Sequence, residues 1–166
     1  MSEFIGFSKA VEDDIKELAA LGNDIWREHY SSILSEEQID YMLEKFQSES
    51  AIKEQIEQGY EYYFIKEDSN SIGYIGLCKK PEHLFLSKLY IKQDYRSKGY
   101  GKKAFNFVCT KCKDFGLDKI VLTVNKNNLN SIAFYEKIGL KKTDSVVCDI
   151  GDGFVMDDYI YTYSIS

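Results

Sequence analysis

The chain of 166 residues carries 44% hydrophobic and 29% charged side chains, an ordinary composition for a soluble globular protein. Its net charge of −6 argues against a nucleic-acid partner, because nucleic-acid phosphates require a basic surface. The N-terminus lacks a basic segment followed by an apolar stretch, and no apolar run approaches the ~20 residues that span a bilayer. We therefore expect one domain over residues 1–166, a cytoplasmic location and no membrane partner.

The cysteines are expected to be reduced thiols in such a protein. Cys109 and Cys112 have the C-x-x-C spacing of half a zinc site. They fall within a predicted helix, however, and the sequence offers no second ligand pair. Core packing is the favoured interpretation, and we expect no metal cofactor.

The hydrophobic periodicity predicts both helices and strands. In chain order, the predicted elements are a strand over 3–9, helices over 11–28 and 35–46, strands over 60–67, 71–80 and 84–91, a helix over 102–115, a strand over 119–125, a helix over 131–139, and two strands joined around Gly151, Asp152 and Gly153. A short helical stretch over 50–58 is left out of this order. The pattern β-α-α-β-β-β-α-β-α-β-β predicts an α/β fold in which a mixed sheet carries helices on its faces.

A glycine-containing turn joins the strand over 84–91 to the helix that follows it. The first N–H groups of a helix have no intrahelical partners and the helix dipole is positive there, so such a turn can hold an anion. Gly99 and Gly101 keep side chains away from those groups, and positive charge is supplied nearby by Arg96, Lys98, Lys102 and Lys103. The turn predicts a phosphate or pyrophosphate site; the alternative is a plain turn followed by a solvated basic helix start.

Two segments resemble the diagnostic motifs of the GNAT superfamily of acyl-CoA-dependent N-acyltransferases. The first motif, Q/R-x-x-G-x-G/A, is matched by Arg96, Gly99 and Gly101. The second motif places an Asn seven residues before the Tyr of a Y-E-K-x-G-(F/L) stretch, and it is matched by Asn128, Tyr135, Glu136, Lys137, Gly139 and Leu140. The resemblance implies the GNAT fold, with a central, mostly antiparallel mixed sheet flanked by helices, and acetyl-CoA as co-substrate.

The resemblance also implies where acetyl-CoA binds. Its pyrophosphate would lie on the N–H groups of the loop before the helix, and its pantetheine arm would bond to the backbone of the preceding strand. The residues implied at this site are Leu89, Tyr90, Ile91, Arg96, Ser97, Lys98, Gly99, Tyr100, Gly101, Lys102, Asn128, Tyr135 and Lys137.

Acetylation of an amine requires a neutral nucleophile, donors for the oxyanion and a proton for the departing thiolate. By resemblance, Tyr135 is the catalytic proton donor, and the backbone N–H of Leu89 is the expected oxyanion donor. Many relatives carry a Glu on the strand before the loop, but the strand LFLSKLYI has no carboxylate. The base therefore stays open between a water chain and the side chains of Glu28, His29, Glu82 and His83.

In similar proteins the first helices and the last hairpin form the acceptor site. The candidate substrate residues here are Trp26, Glu28, His29, Tyr30 and Asp157. Carboxylates beside aromatic rings suit a cationic amine; the alternative is that Asp157 and Asp158 lie on a solvated strand edge. The layout resembles polyamine-type acetyltransferases, which predicts a spermidine-like acceptor.

Other interpretations stay open. The acceptor could instead be a protein N-terminus or lysine, which predicts an open groove. A non-catalytic module that senses acyl-CoA is the alternative from another class of protein. A homodimer formed through exposed strand edges also stays open.

Overall fold

The computed structural model describes residues 5–96 and 98–165, and the strands in these ranges form one seven-stranded sheet. The strands are β1 (Ile5–Lys9), β2 (Tyr60–Glu67), β3 (Asn70–Lys79), β4 (Leu84–Ile91), β5 (Lys119–Asn125), β6 (Lys141–Gly151) and β7 (Phe154–Ser164). Within the sheet they lie in the order β1-β2-β3-β4-β5-β7-β6. Neighbouring strands are antiparallel except β4 and β5. The expected α/β fold with a mixed, mostly antiparallel sheet is confirmed.

The helices of the described residues lie on the two faces of this sheet. They are α1 (Ile15–Tyr30), α2 (Glu36–Met42), α3 (Glu49–Glu57), α4 (Tyr100–Asp114) and α5 (Leu129–Lys137). A π turn over Leu43–Gln47 continues α2. The short helix that the predicted order leaves out is therefore present as α3; it begins where the Ser48 hydroxyl accepts a hydrogen bond from the N–H of Ala51 at 3.2 Å.

Some boundaries differ from the predicted ones for local reasons. A 3₁₀ turn over Glu12–Asp14 precedes α1, so this helix begins later than expected. Helix α4 begins earlier, at Tyr100, because Gly99 adopts a left-handed conformation with φ 82° directly before it. Residues 3 and 4 of the predicted first strand, and Ser97 of the predicted cofactor site, lie outside the described residues.

Side chains alternate between the two faces of the strands, which gives the sheet two separate apolar surfaces. On one face, α4 and α5 pack on the largest core cluster, which includes Ile65, Ile75, Leu77, Leu84, Val108 and Leu122. On the other face, α1 and α3 pack on a cluster that includes Leu18, Ile25, Ile52, Tyr62, Phe64 and Tyr74. The sheet thus separates two helical layers.

Strand β4 leaves its neighbour β5 early. The parallel pairing between them includes Leu84 with Ile120 and Phe85 with Val121, and it ends there. The rest of β4, residues 86–91, is paired with β3 on one side and has an open edge on the other. A wedge-shaped opening therefore divides the sheet in front of α4.

An irregularity in the pairing of β3 with β4 lies beside this opening. Leu77 pairs with Leu86 and Gly76 pairs with Lys88, so Ser87 is an extra residue in β4. Such a bulge turns neighbouring side chains toward the same side of the sheet. Ser87 and Lys88 both line the cavity on the α1–α3 face.

Strand β6 forms one edge of the sheet, and residues 141–149 are exposed along it. An open edge offers backbone groups for pairing with another strand. The homodimer stays a prediction.

Candidate active site

The loop between β4 and α4 has the geometry of an anion site. A Cβ atom built on Gly99 meets no atom within 4 Å, so the space beside this residue is open. The N–H of Lys103 bonds to the carbonyl of Gly99 at 3.2 Å and is the first such bond of α4. In the described part of the chain, the N–H groups of Gly101 and Lys102 before it bond to no acceptor. These donors, the helix dipole and the exposed Lys98 and Lys102 can hold a phosphate group.

The second glycine of the motif, Gly101, is required for the packing of two helices. A Cβ atom at Gly101 would lie 2.9 Å from Cζ of Phe134 on α5. Glycine therefore lets α4 and α5 approach each other, which is a packing reason for Gly101 in addition to the predicted clearance for a phosphate.

Two charged residues, Arg96 and Glu28, form hydrogen bonds to the backbone of this loop and its preceding strand. Arg96 donates from Nε to the carbonyl oxygen of Ile91 at 2.9 Å, and its Nη2 lies 4.0 Å from Oε1 of Glu28. The same Glu28 oxygen accepts a hydrogen bond from the N–H of Gln93 at 2.6 Å. The Glu28 carboxylate therefore contacts the loop and not the cavity. No pattern in the sequence indicated this contact.

A cavity of about 250 Å³ lies between α1, α2 and the strands β4, β5 and β7, next to the open edge of β4. Among the residues that line it are Trp26, Tyr30, Ser87, Lys88, Tyr90 and Asp158. The structure thus brings Trp26 and Tyr30 of the predicted substrate set together. It also adds residues from β4 that the sequence analysis did not assign to the acceptor.

Aromatic rings form one wall of the cavity. The rings of Trp26 and Tyr30 have centroids 4.4 Å apart, and the Trp26 and Tyr90 centroids are 6.1 Å apart. The hydroxyl oxygens of Tyr30 and Tyr90 are 3.4 Å apart. The Tyr90 ring thus belongs to this wall, whereas the motif assigned Tyr90 to the cofactor site. A wall of this kind can accept an ammonium group through cation–π contact.

The two neighbouring aspartates of β7 point to opposite faces of the sheet. Asp157 forms an ion pair with Lys126 at 2.8 Å, and its side chain is 51% exposed. Asp158 is 5% exposed and lines the cavity. The predicted substrate residue Asp157 therefore lies outside the cavity, and the interpretation of both residues as a solvated edge is wrong for Asp158.

The carboxylate of Asp158 makes no hydrogen bond to any described residue. Burial, followed by the nearby charge of Asp157, raises the pKa of Asp158 to about 6 against an opposing effect of Lys126. A buried carboxylate without a donor is costly to the fold, because its ionised form loses hydration. Such groups are concentrated at functional sites.

His29 is held as a neutral ring. Its Nε2 lies 2.9 Å from Nδ2 of Asn128, while Oδ1 of Asn128 accepts from the N–H of Ser131 at 3.3 Å. The amide therefore donates to Nε2, and the His29 proton is on Nδ1. Burial, followed by the charge of Arg96, lowers the pKa of His29 to about 4. Asn128 caps α5, as its position before the helix suggested.

Tyr135 lies on α5 and is buried against the core under the opening of the sheet. Burial raises the pKa of the Tyr135 hydroxyl, so the phenol keeps its proton at neutral pH. Within the described ranges this hydroxyl has no hydrogen-bond partner. It is thus a protonated donor without a fixed acceptor.

Lys88 is a buried cation that the sequence analysis missed, although a lone Lys in the apolar run LFLSKLYI was a visible signal. Its side chain is 6% exposed, and its ammonium donates to the carbonyl of Phe46 and to Oε1 of Gln55, both at 3.0 Å, and to the hydroxyl of Tyr62. All three acceptors are uncharged. Burial lowers the pKa of Lys88 to about 7.

The remaining predicted cofactor residues lie around the opening and the start of α4. Leu89 and Ile91 are on the open edge of β4. The Tyr100 ring is buried, with its hydroxyl bonded to Glu67, and Lys137 is exposed near the end of α5. Of the base candidates at the other end of β4, neither Glu82 nor His83 lines the cavity.

Residues 5–96 and 98–165 contain no group of three or more His, Cys, Asp or Glu side chains arranged to hold a metal ion. Cys112 is buried, and its thiol donates to the carbonyl of Lys119 at 3.4 Å. No helix in the same ranges has the length and apolar character needed to cross a bilayer.

Comparison with known proteins agrees with the resemblance to the GNAT superfamily. The model of the acetyltransferase (GNAT) family matches residues 18–140. A spermidine N(1)-acetyltransferase of Thermoplasma acidophilum is 28% identical over 150 residues, which cover 87% of this chain and 91% of that protein. An uncharacterized N-acetyltransferase of Lactobacillus delbrueckii subsp. lactis is 26% identical over 150 residues, covering 85% and 87%.

Solved structures agree in fold. The crystal structure of the PaiA N-acetyltransferase from T. acidophilum, in complex with coenzyme A, has a TM-score of 0.80 at 26% identity and covers 99% of both chains. A GCN5-related N-acetyltransferase from Rhodopseudomonas palustris has a TM-score of 0.82 at 17% identity, again covering 99% of both chains. Because the family model spans most of the sequence, this chain belongs to the GNAT family of acetyltransferases. The enzyme class expected from the motifs, an acetyl-CoA-dependent N-acyltransferase, is confirmed.

The buried lysine predicts a pH dependence of stability. The pKa of Lys88 is lower in the folded chain than its ordinary value of 10.5, so the unfolded chain binds more protons between about pH 7 and 10 and stability rises with pH there. We expect Lys88→Met to reduce the slope of unfolding free energy against pH by up to about 1.4 kcal/mol per pH unit. Urea unfolding at pH 7, 8 and 9 measures the slope.

The matched control is Lys53→Met, which removes an exposed lysine on α3. Its slope should equal that of the wild type. Equal slopes in wild type and Lys88→Met would show that Lys88 titrates with its ordinary pKa.

Proposed function

We propose that this enzyme transfers the acetyl group of acetyl-CoA directly to a primary amine of a small cationic molecule, with spermidine-like polyamines as the leading class. The observation that carries the proposal is the cavity beside the open edge of β4, where the unpaired carboxylate of Asp158 lies near aromatic rings. The similarity to the spermidine N(1)-acetyltransferase of T. acidophilum supports the choice of acceptor.

The described residues fit the co-substrate. Open space beside Gly99 and the free N–H groups of Gly101 and Lys102 suit the pyrophosphate. The unpaired edge of β4 suits the extended arm, with the backbone of Leu89 and Ile91 as its partners. One of these groups, the Ile91 carbonyl, already accepts from Arg96, which leaves its second lone pair for the arm.

The other predicted cofactor residues contribute less directly. The side chains of Tyr90 and Tyr100 are engaged elsewhere, so their contribution is limited to backbone groups. Asn128 holds His29 and caps α5, which fixes the helix that carries Tyr135. Lys98, Lys102 and Lys137 supply exposed positive charge for phosphate groups.

The size and charge of the cavity support a small acceptor. A volume of about 250 Å³ accommodates a short amine chain better than a folded peptide. An ammonium group placed against Asp158 would gain charge pairing in a buried environment, and the rings of Trp26 and Tyr30 would add cation–π attraction. These features favour a small amine over a protein N-terminus or lysine.

The chemical step follows from the groups on either side of the opening. Acetyl-CoA supplies an activated thioester. Tyr135 donates its proton to the departing sulfur, which its protonated state at neutral pH permits. The backbone N–H of Leu89, on the open edge of β4, is the proposed donor to the oxyanion.

The function is tested by thiol release from acetyl-CoA across polyamines, amino acids, aminoglycosides and short peptides. We expect release that depends on polyamines, and at least tenfold lower kcat/KM for peptides. Release with peptides and not with polyamines would overturn the choice of acceptor. Tight acetyl-CoA binding without release from any amine would indicate a sensor.

The phosphate site is tested by Gly99→Val. A side chain there would occupy the space left for the pyrophosphate, so we expect at least tenfold weaker coenzyme A binding in calorimetry. Gly116→Val is the matched control: Gly116 also has a positive φ, 75°, and open surroundings, but it lies at the other end of α4. Both variants carry the same backbone strain. Equal affinities in the two variants would remove the loop from the cofactor site.

Tyr135→Phe tests the proton donor. The change deletes one hydroxyl with little change in shape, so kcat should fall by about 100-fold while coenzyme A affinity stays within about twofold of the wild type. Steady-state kinetics with the best acceptor and calorimetry with coenzyme A provide the two readouts. Full turnover in Tyr135→Phe would show that the thiolate leaves without this residue.

A further inference from the structure

An amine acceptor is protonated at neutral pH and must lose a proton before it can attack a thioester. The base candidates from the sequence are poorly placed for this step. Glu28 accepts from the N–H of Gln93, and Nε2 of His29 accepts from Asn128. Glu82 and His83 are absent from the cavity wall. If the proton acceptor is a side chain and not the end of a water chain, it must be sought among the groups that do line the cavity.

Asp158 is the one carboxylate among the described residues of the cavity wall. It is 5% exposed and has no hydrogen-bond donor in the described part of the chain. Its position is fixed by the ladder between β5 and β7, where Asp158 pairs with Asn125. A carboxylate held rigidly, without donors and facing a cavity has the lone pairs of its oxygens available for an incoming N–H group.

We propose that Asp158 is the proton acceptor that deprotonates the ammonium of the acceptor. This inference rests on the proposed function and assigns the base that β4 lacks. Asp158 lines the cavity on the α1–α3 face, while Tyr135 belongs to the core cluster on the α4–α5 face. Tyr30, which lines the same cavity, is coupled to both residues: burial above all, and the charge of Asp158 in addition, raises the pKa of Tyr30, and burial above all, with Tyr30 in addition, raises the pKa of Tyr135.

The surroundings make Asp158 a stronger base than an exposed carboxylate. Its pKa of about 6 keeps it mostly ionised at pH 7 while bringing it closer to the pKa of an amine. The titratable and charged groups that line the cavity with it or act on it are Tyr30 on α1, Tyr60 on β2, Lys88 and Tyr90 on β4, Lys126 after β5, and Asp157 on β7. An ammonium bound against Asp158 would lower the pKa of Asp158 again. When the ammonium then transfers a proton to the carboxylate, both groups become neutral.

The step balances as follows. The ammonium gives one proton to Asp158 and becomes a neutral amine. Its nitrogen forms a bond to the carbonyl carbon of the thioester, and the C–S bond breaks with its electron pair on sulfur. Tyr135 gives its proton to that sulfur and regains one from the nitrogen as the amide forms. Asp158 returns its proton to solvent, so the net products are the N-acetyl amine, free coenzyme A and one proton.

The test is Asp158→Asn, assayed with acetyl-CoA and spermidine, or with the best acceptor of the wild type. At pH 7 we expect kcat/KM for the amine to fall at least 100-fold. Because the variant can use only amine that is already neutral, its rate should rise about tenfold per pH unit between pH 7 and 9. Over the same range the wild-type rate should change much less. The gap between the two enzymes therefore closes as pH rises.

Two measurements separate this loss from unfolding. Since folding raises the pKa of Asp158, the folded chain loses stability as pH rises from about 4 to 6, and the full cost is present at pH 7. Asp158→Asn should therefore melt at the same temperature as the wild type or higher at pH 7. Coenzyme A affinity should stay within about twofold. Asp144→Asn, which alters an exposed carboxylate on β6, is the matched control and should retain wild-type turnover.

The outcomes distinguish this inference from the proposed function. If the wild type acetylates no amine, the proposed function fails. If the wild type is active and Asp158→Asn raises KM with unchanged kcat and no pH slope, Asp158 only anchors the ammonium and the inference is overturned. Unchanged kcat and KM overturn it as well. If kcat/KM of a stably folded Asp158→Asn is far below that of the wild type at pH 7 and approaches it at pH 9, Asp158 is established as the base.

Discussion

The early end of the pairing between β4 and β5 is the constraint on which the rest of the site depends. Two neighbouring parallel strands that stayed paired would satisfy each other's N–H and C=O groups; here residues 86–91 of β4 leave that edge unmatched. Backbone groups without hydrogen-bond partners are costly when buried, so the N–H and C=O groups of this edge must bond to water or to an extended ligand. The proposed anion site before α4 lies at one end of this edge and the cavity lies beside it. In the proposed function, co-substrate and acceptor meet at this opening.

The pKa values of the charged groups in the cavity are shifted by burial more than by ion pairing. Asp158 and Lys88 both line it, and neither forms an ion pair with a described residue. Lys88 is stabilised by three uncharged oxygens, one of which is the Phe46 carbonyl in the π turn after α2. Unpaired buried charges lower stability, and their presence together in one cavity is the kind of local conflict that proteins retain at functional sites.

Much of the fold could be predicted because periodicity and caps are local signals: the strand-loop-helix around Gly99 and the cap at Asn128 follow from short stretches of sequence. The acceptor side was harder. A strand alternates its side chains every residue, so choosing Asp157 over Asp158 depended on a register that only the pairing with β5 decides. The contacts of Glu28 and Lys88 join residues far apart in sequence, and no local pattern encodes them.

The close contact between Gly101 and Phe134 has a consequence for how the enzyme can diversify. Phe134 directly precedes Tyr135, so the helix that begins at the proposed anion site and the helix that carries the proposed proton donor pack tightly against each other. The aromatic wall of the cavity belongs to a separate cluster built from α1 and α2 with the last hairpin. In the proposed function, substitutions in that wall would change the choice of acceptor without altering the contact between α4 and α5, so the two faces of the sheet could evolve separately.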